Sequence, residues 1–312
     1  MDNPSIISCE PFVIAHKDEI YPILISKLIS KINLIQASPF EFKNNNGELI
    51  KEKFRYSYPT NEIFKDKEIL SIILKFAKHT VPEFIKKLRK EINDKDYKLD
   101  NKENIRYCLR VRILEDKEGY SLQPHKDSDD TIFSFILQLD SRNTKTTIYK
   151  KGRVFKLTGN ISENPNEIKL QVSSAVKKIC PMEKIHYGES QFKKNIGMWT
   201  NQKFFRYEKF DNLIAIQEYD EQLIKIENQS LYGICNSLIK IILSSKLNKA
   251  NSVSYHGVRP IIQKSRKLLI MDLIAQPTSK DVLVLQGVNN DSHSYYLIYS
   301  PEKCSELTGL LS

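Results

Sequence analysis

His125 and Asp127 stand two residues apart in GYSLQPHKDSDD, residues 119–130. At the end of an extended strand, side chains at that spacing point to the same face. An imidazole and a carboxylate so placed can occupy adjacent corners of one metal ion. A facial set of two histidines and one carboxylate needs a further histidine, brought in from a distant strand. His256 is one candidate: in NSVSYHGVRPIIQKSRKLLIMDLI a short turn leads from it into a strongly apolar strand. Arg266, ten residues later, heads that strand, where a buried guanidinium fork would suit a carboxylate gripped at two points. His186, in KIHYGESQF, is the rival, but no arginine holds a matching place and no apolar strand follows it. His16, His79 and His293 have the surroundings of surface or capping histidines.

GYSLQPHKDS followed by SYHGV and an arginine ten residues on resembles the non-haem Fe(II), 2-oxoglutarate-dependent oxygenases, especially the prolyl-hydroxylase-like branch. The resemblance covers roughly residues 105–275. It implies a double-stranded β-helix, the cupin-like jelly roll of two sheets, buttressed by N-terminal helices. It implies His125, Asp127 and His256 as iron ligands, and Arg266 as the partner of the distal carboxylate of 2-oxoglutarate, whose keto-acid end would chelate the iron. Tyr107 matches a tyrosine that binds the cosubstrate in many members. The implied reaction consumes O₂ and 2-oxoglutarate, releases succinate and CO₂, and hydroxylates an unactivated C–H bond. Halogenases of this type lack the carboxylate, so Asp127 favours hydroxylation or desaturation. The chain departs from the pattern twice. His125 and His256 are 131 residues apart, which asks for an insertion, and Leu268 stands where the family often has serine.

The elements that must position these residues change character near residue 105. Before it, Ile20, Leu24, Leu28, Ile32 and Ile35 recur at helical spacing within 17–36, and a second stripe runs through Ile63, Ile69, Ile73 and Phe76. A third helix is expected from Thr80-Val81-Pro82 to about Ile92. After it, IRYCLRVRI (105–113) alternates strictly and reads as a half-buried strand, and TIFSFILQL (131–139) as another. TTIYKKGRVFKL (146–157) suggests a hairpin turning at Lys151-Gly152, with more strands at 213–217, 267–274, 282–286 and 294–299. Segment 221–247 suits a helix or a buried strand. The fold class is therefore α+β, with an antiparallel sandwich or barrel. The division expected is a helical support over 1–104, a core over 105–275 with a basic insertion around 140–210, and a β extension over 276–312.

The 312 residues are 40% hydrophobic and carry only 10 Gly and 12 Pro, which excludes collagen-like and low-complexity chains. No apolar run reaches the roughly 20 residues that span a bilayer, and MDNPSIISCEPF lacks the basic start of a secretory signal. Cys9, Cys108, Cys180, Cys235 and Cys304 form no CxxC pair, which favours reduced thiols in a soluble, cytoplasmic protein. Of the net charge of +10, residues 140–210 hold +9. Within them Tyr187, Phe192, Trp199, Phe204, Phe205, Tyr207 and Phe210 alternate with lysines and arginines, as an apolar sheet face with a charged outer side or as a substrate wall would. The charge suggests an anionic small molecule or sugar as substrate. An amino acid, peptide or protein side chain is the alternative. A non-catalytic basic module that holds nucleic acid or an anionic surface is a reading from another class. The nucleic-acid demethylases of the superfamily carry arginines beyond the distal histidine, and no arginine follows Arg266.

Overall fold

A computed structural model of the chain describes residues 4–9, 12–43, 47–91, 105–127, 131–140, 146–189, 196–224, 230–235, 255–262, 265–277 and 294–299. Its elements begin with β1 (Ser5–Cys9), β2 (Phe12–Lys17), α1 (Ile20–Ile32), β3 (Ser38–Lys43) and β4 (Leu49–Ser57). Next come α2 (Thr60–Ile63), α3 (Lys67–Lys75), a π-helical turn (Phe76–Thr80) and α4 (Val81–Glu91). The chain continues through β5 (Ile105–Asp116), β6 (Leu122–His125), β7 (Thr131–Gln138), β8 (Thr146–Thr158) and α5 (Pro165–Ile179). It ends with β9 (His186–Glu189), β10 (Ile196–Trp199), β11 (Lys203–Phe210), β12 (Leu213–Ile224), β13 (Ser230–Cys235), β14 (Tyr255–Val258), β15 (Arg266–Pro277) and β16 (Tyr295–Tyr299).

Among the described residues these strands form two antiparallel sheets. The larger has the order β1-β2-β13-β7-β15-β5-β4-β3, with β16 also paired to β5, and the smaller has the order β6-β14-β8-β12-β11-β10-β9. Four pairings are nested in sequence: β5 with β15, β6 with β14, β7 with β13 and β8 with β12. A long hairpin folded back over itself has this pattern, its successive rungs falling in alternate sheets.

Period-two alternation assigns each face of the larger sheet. On β15, Leu269, Met271 and Leu273 face outward, with Leu109, Val111 and Ile113 of β5 and Phe133, Phe135 and Leu137 of β7. The helices cover this face through Leu24 and Leu28 of α1, Ile69 and Ile73 of α3 and Phe84 of α4. Phe135 is clasped between Phe76 and Phe84, with ring centroids 5.4 and 5.2 Å away in edge-to-face geometry. Gly233 of β13 leaves room for this stack, since a Cβ there would lie 2.6 Å from the Phe84 ring. The other face of the larger sheet meets the smaller one, where Leu268 of β15 and Ile136 of β7 pack on Ile148 of β8. Arg266 lies on this interior face, and His125 and His256 on strands of the smaller sheet that it meets.

Three expectations change. Residues 1–104 contain the expected helices but also β1 to β4, which extend the larger sheet at both edges. No hairpin forms at Lys151-Gly152: β8 runs straight through, and Gly152 and Arg153 bulge against β12, because Lys151 pairs with Tyr219 while Val154 pairs with Gln217. The basic segment also contains α5, whose start is capped by Asn164 with Pro165 in the first turn. The aromatic residues of that segment divide. Trp199 and Phe204 stack at 4.6 Å beside Tyr149 and Tyr219, Phe205 and Tyr207 pack with α5, and Tyr187 and Phe210 are exposed. In the ambiguous segment 221–247 the described parts are strand, the end of β12 and the whole of β13, while 225–229, 236–247 and 282–286 lie outside the described residues. Cys108 and Cys180 are buried, and no helix among the described residues is long and apolar enough to cross a membrane.

Phe135→Ala removes the ring on which two helices rest. It should lower the unfolding free energy by about 3–5 kcal/mol, read from the urea midpoint at constant slope.

Candidate metal centre

β6 ends on His125, and β14 runs antiparallel beside it so that His256 is its direct cross-strand partner. The two rings lie 4.4 Å apart between centroids. Such closeness depends on Gly257, where a Cβ would come within 2.4 Å of the Leu122 carbonyl oxygen of β6. The glycine in YHGV is therefore what lets the two histidine-bearing strands meet. Asp127 follows β6 directly, and its Oδ1 is 3.7 Å from His125 Nε2 and 3.6 Å from His256 Nε2. One ligand atom from each of the three lies within 4.8 Å of the others. Two ligands each about 2.0–2.2 Å from one ion can stand up to roughly 4 Å apart, so the spacing fits a single metal ion. The side chains are 27%, 24% and 9% exposed for His125, Asp127 and His256, so the group opens to solvent on one side.

Neighbouring groups orient these ligands. His125 Nδ1 lies 2.9 Å from the Gln123 carbonyl oxygen, which can only accept, so Nδ1 carries the hydrogen and Nε2 presents its lone pair. Burial, then the nearby His256, push the His125 imidazole down to about 4 against the opposing pull of Asp127, leaving it neutral near pH 7. A neutral imidazole is the form that binds metal. Ser134 of β7 donates to Asp127 Oδ2 at 2.5 Å, which fixes the carboxylate and leaves Oδ1 turned toward the histidines. Burial opposes ionisation of Asp127, yet His256, His125 and the Ser134 hydroxyl outweigh it and hold the carboxyl well below its ordinary range.

Two rows of charge cross the interior face of the larger sheet. In the first, Arg55 of β4, Asp116 of β5 and Arg266 of β15 are direct neighbours in register. Arg55 donates to Asp116 at 2.6 and 3.0 Å, and Arg266 Nε donates to it at 2.8 Å. Arg266 is 1% exposed, and its Nη1 has no hydrogen-bond partner among the described residues. Nor has the hydroxyl of Tyr120, which is buried beneath the Arg55 guanidinium, 4.3 Å above its ring. Burial pushes the Tyr120 phenol up, so it stays neutral, and the nearby Arg266 charge works against that rise. In the second row, Arg110 of β5, Asp272 of β15 and Ser134 of β7 are direct neighbours. Arg110 and Arg112 both donate to Asp272 Oδ2, at 2.9 and 2.7 Å.

Of the residues singled out in the sequence, His125, Asp127 and His256 come together, and Arg266 sits buried on the same interior. His186 opens β9 opposite Trp199 and does not join them. The side chain of Tyr107 and the whole of His293 lie outside the described residues, and His79 is exposed. His16 is buried, not superficial: its Nδ1 meets the Tyr21 hydroxyl at 3.0 Å. Tyr120, Arg55, Asp116, Ser134, Asp272, Arg110 and Arg112 were not foreseen as parts of a site. The alternation of 105–113 placed both arginines on the polar face of a strand, but that face turns inward and not to water. Compared with known proteins, the chain matches no family model and no curated relative.

Two outcomes follow from this geometry. Burial works against the ionised form of Asp116, but Arg55 and Arg266 overcome it and lower its folded-state pKa below the ordinary 3.8. Its stabilisation is therefore complete above that pH and lost as the pH falls through the lower folded value. Asp116→Asn should flatten this acid limb and cost about 3–5 kcal/mol at pH 7, since two guanidiniums stay buried with no carboxylate between them. Gly257→Ala should force β6 and β14 apart and weaken divalent-metal binding at least about tenfold, measured by Mn(II) titration, through loss of ligand alignment.

Proposed function

We propose that the chain is an Fe(II)- and 2-oxoglutarate-dependent dioxygenase that hydroxylates an unactivated C–H bond of a small molecule. The nested strand pairing supports a double-stranded β-helix, and the helices on the outer face of its larger sheet match the expected buttress. The observation that carries the reading is the meeting of His125, Asp127 and His256 at the β6–β14 pair, with a buried arginine heading β15 on the same interior.

Two neutral imidazoles and one carboxylate are the donor set that non-haem Fe(II) takes on one face, with the remaining positions open. When bound, the iron would supply activation of O₂ coupled to oxidative decarboxylation of the keto acid to succinate and CO₂. The protein's own contributions are more specific. Asp127, with Oδ2 held by Ser134, offers Oδ1 to the metal in one orientation. His125 keeps the correct nitrogen free through its bond to Gln123. Arg266 and Tyr120 present two buried donors that find no partner among the described residues, which suits a carboxylate buried between them. A buried donor left unpaired is costly, so a ligand that meets both would bind with a large advantage. Tyr120 is thus a second candidate, beside Tyr107, for the tyrosine that binds the cosubstrate. Asp116 anchors Arg266 by Nε, which fixes the fork so that Nη1 points to the ligand.

Anaerobic addition of Fe(II) and 2-oxoglutarate to the purified protein should produce a visible metal-to-ligand charge-transfer band. A folded protein without that band would overturn the proposal. Asp127→Ala should abolish substrate-coupled succinate release. Arg266→Gln should raise the 2-oxoglutarate requirement about thirtyfold or more while leaving Fe(II) binding intact, since it removes the charged partner of one carboxylate.

A further inference from the structure

Asp272 is 3% exposed and serves two arginines at once. Both guanidiniums address the same oxygen, Oδ2, while Oδ1 lies 3.0 Å from the Ser134 hydroxyl. Ser134 has one proton and also reaches Asp127 at 2.5 Å, so it donates to one carboxylate at a time and stands between Asp127 and the arginine pair. Arg110 and Arg112 are nevertheless 26% and 19% exposed, so the cluster can be reached from solvent. Arg112 Nε is buried and has no hydrogen-bond partner among the described residues. Burial, and after it the like charge of Arg110, press against the charged form of Arg112 more than Asp272 favours it. Asp272 is six residues beyond Arg266 on β15, so the two sites share a face but occupy different rows.

The surface lysines of the basic segment offer less. Lys203 is engaged by Glu218 and Asp220, Lys209 by Glu163 and Arg206 by Glu208. Arg153 also reaches Glu218. Part of the charge that suggested an anionic substrate is met locally, and Arg110 and Arg112 share Asp272 with Ser134, the neighbour of Asp127.

We propose that Arg110 and Arg112 form an oxyanion site that anchors a carboxylate or phosphate group of the primary substrate beside the metal centre. The geometry of the anion site stands by itself, and only its assignment to a substrate rests on the oxygenase reading. Two guanidinium forks matched to one oxyanion give bidentate, oriented binding that a lone lysine does not. An anionic group fixed there would hold the remainder of the molecule in one direction relative to Asp127, which is how a single C–H bond is selected from several.

The test is calorimetric titration of inorganic phosphate into the metal-free full chain. One phosphate per chain is expected, weakened about thirtyfold or more by Arg112→Gln and unchanged by Arg266→Gln. Arg112→Met combined with Asp272→Asn keeps the cluster's net charge and guards against misfolding of the single variant; it should show the same loss. Phosphate binding that survives either Arg112 variant, that disappears with Arg266→Gln, or that is absent from the wild-type protein would overturn the proposal. Mn(II) and 2-oxoglutarate binding to the wild-type chain, measured separately, reports on the oxygenase reading alone, so the two can fail independently.

Discussion

The register of β15 between β5 and β7 is the constraint on which the interior depends. With side chains alternating at period two, Leu269, Met271 and Leu273 must face the helices if Arg266 and Asp272 are to face the smaller sheet. A slip of one residue would bury two charges under the helices and turn three large apolar side chains toward the site. The apolar face therefore does more than stabilise. It fixes, through burial of residues that take no part in chemistry, where a guanidinium and a carboxylate emerge on the opposite side.

The interior carries a repeated electrostatic device. Asp116 is shared by Arg55 and Arg266, and Asp272 by Arg110 and Arg112. Each carboxylate makes it tolerable to bury guanidinium groups that would otherwise be prohibitively costly, and keeps the arginines folded inward and oriented. Asp127 differs. It faces two imidazoles and a hydroxyl, a setting that keeps it ionised and suits it to a cation.

How much of this was legible follows the range of each signal. His125 and Asp127 were readable because their relation is local, two residues on one strand. His256 was readable from its own surroundings, a turn with glycine before an apolar strand, although its partner lies 131 residues away. Arg266 could be placed on a strand, but its tie to Asp116 could not, since that pairing joins residues 150 apart through a register no local pattern reveals. The strand β3 escaped because a short, half-exposed strand has little periodicity. The supposed turn at Gly152 was misread because a glycine between two apolar stretches marks a bulge as readily as a hairpin, and only the partner strand decides. The inward direction of Arg110 and Arg112 was hidden for a related reason: alternation tells which residues share a face, not which face meets water.

The nested pairing also fixes an order of assembly. The innermost pair, β8 with β12, closes the shortest stretch of chain, whereas β6 with β14 must wait for everything between them, and β5 with β15 encloses more still. Loop closure costs more as the enclosed chain grows, and proteins dominated by such distant pairings fold slowly. The two histidines therefore belong to one of the last rungs to close. Until it does, the chain holds a histidine and a carboxylate at one site and a solitary histidine at another, neither of which retains a metal ion well. Any ion that His125, Asp127 and His256 hold together would therefore be taken up only once the surrounding walls are in place.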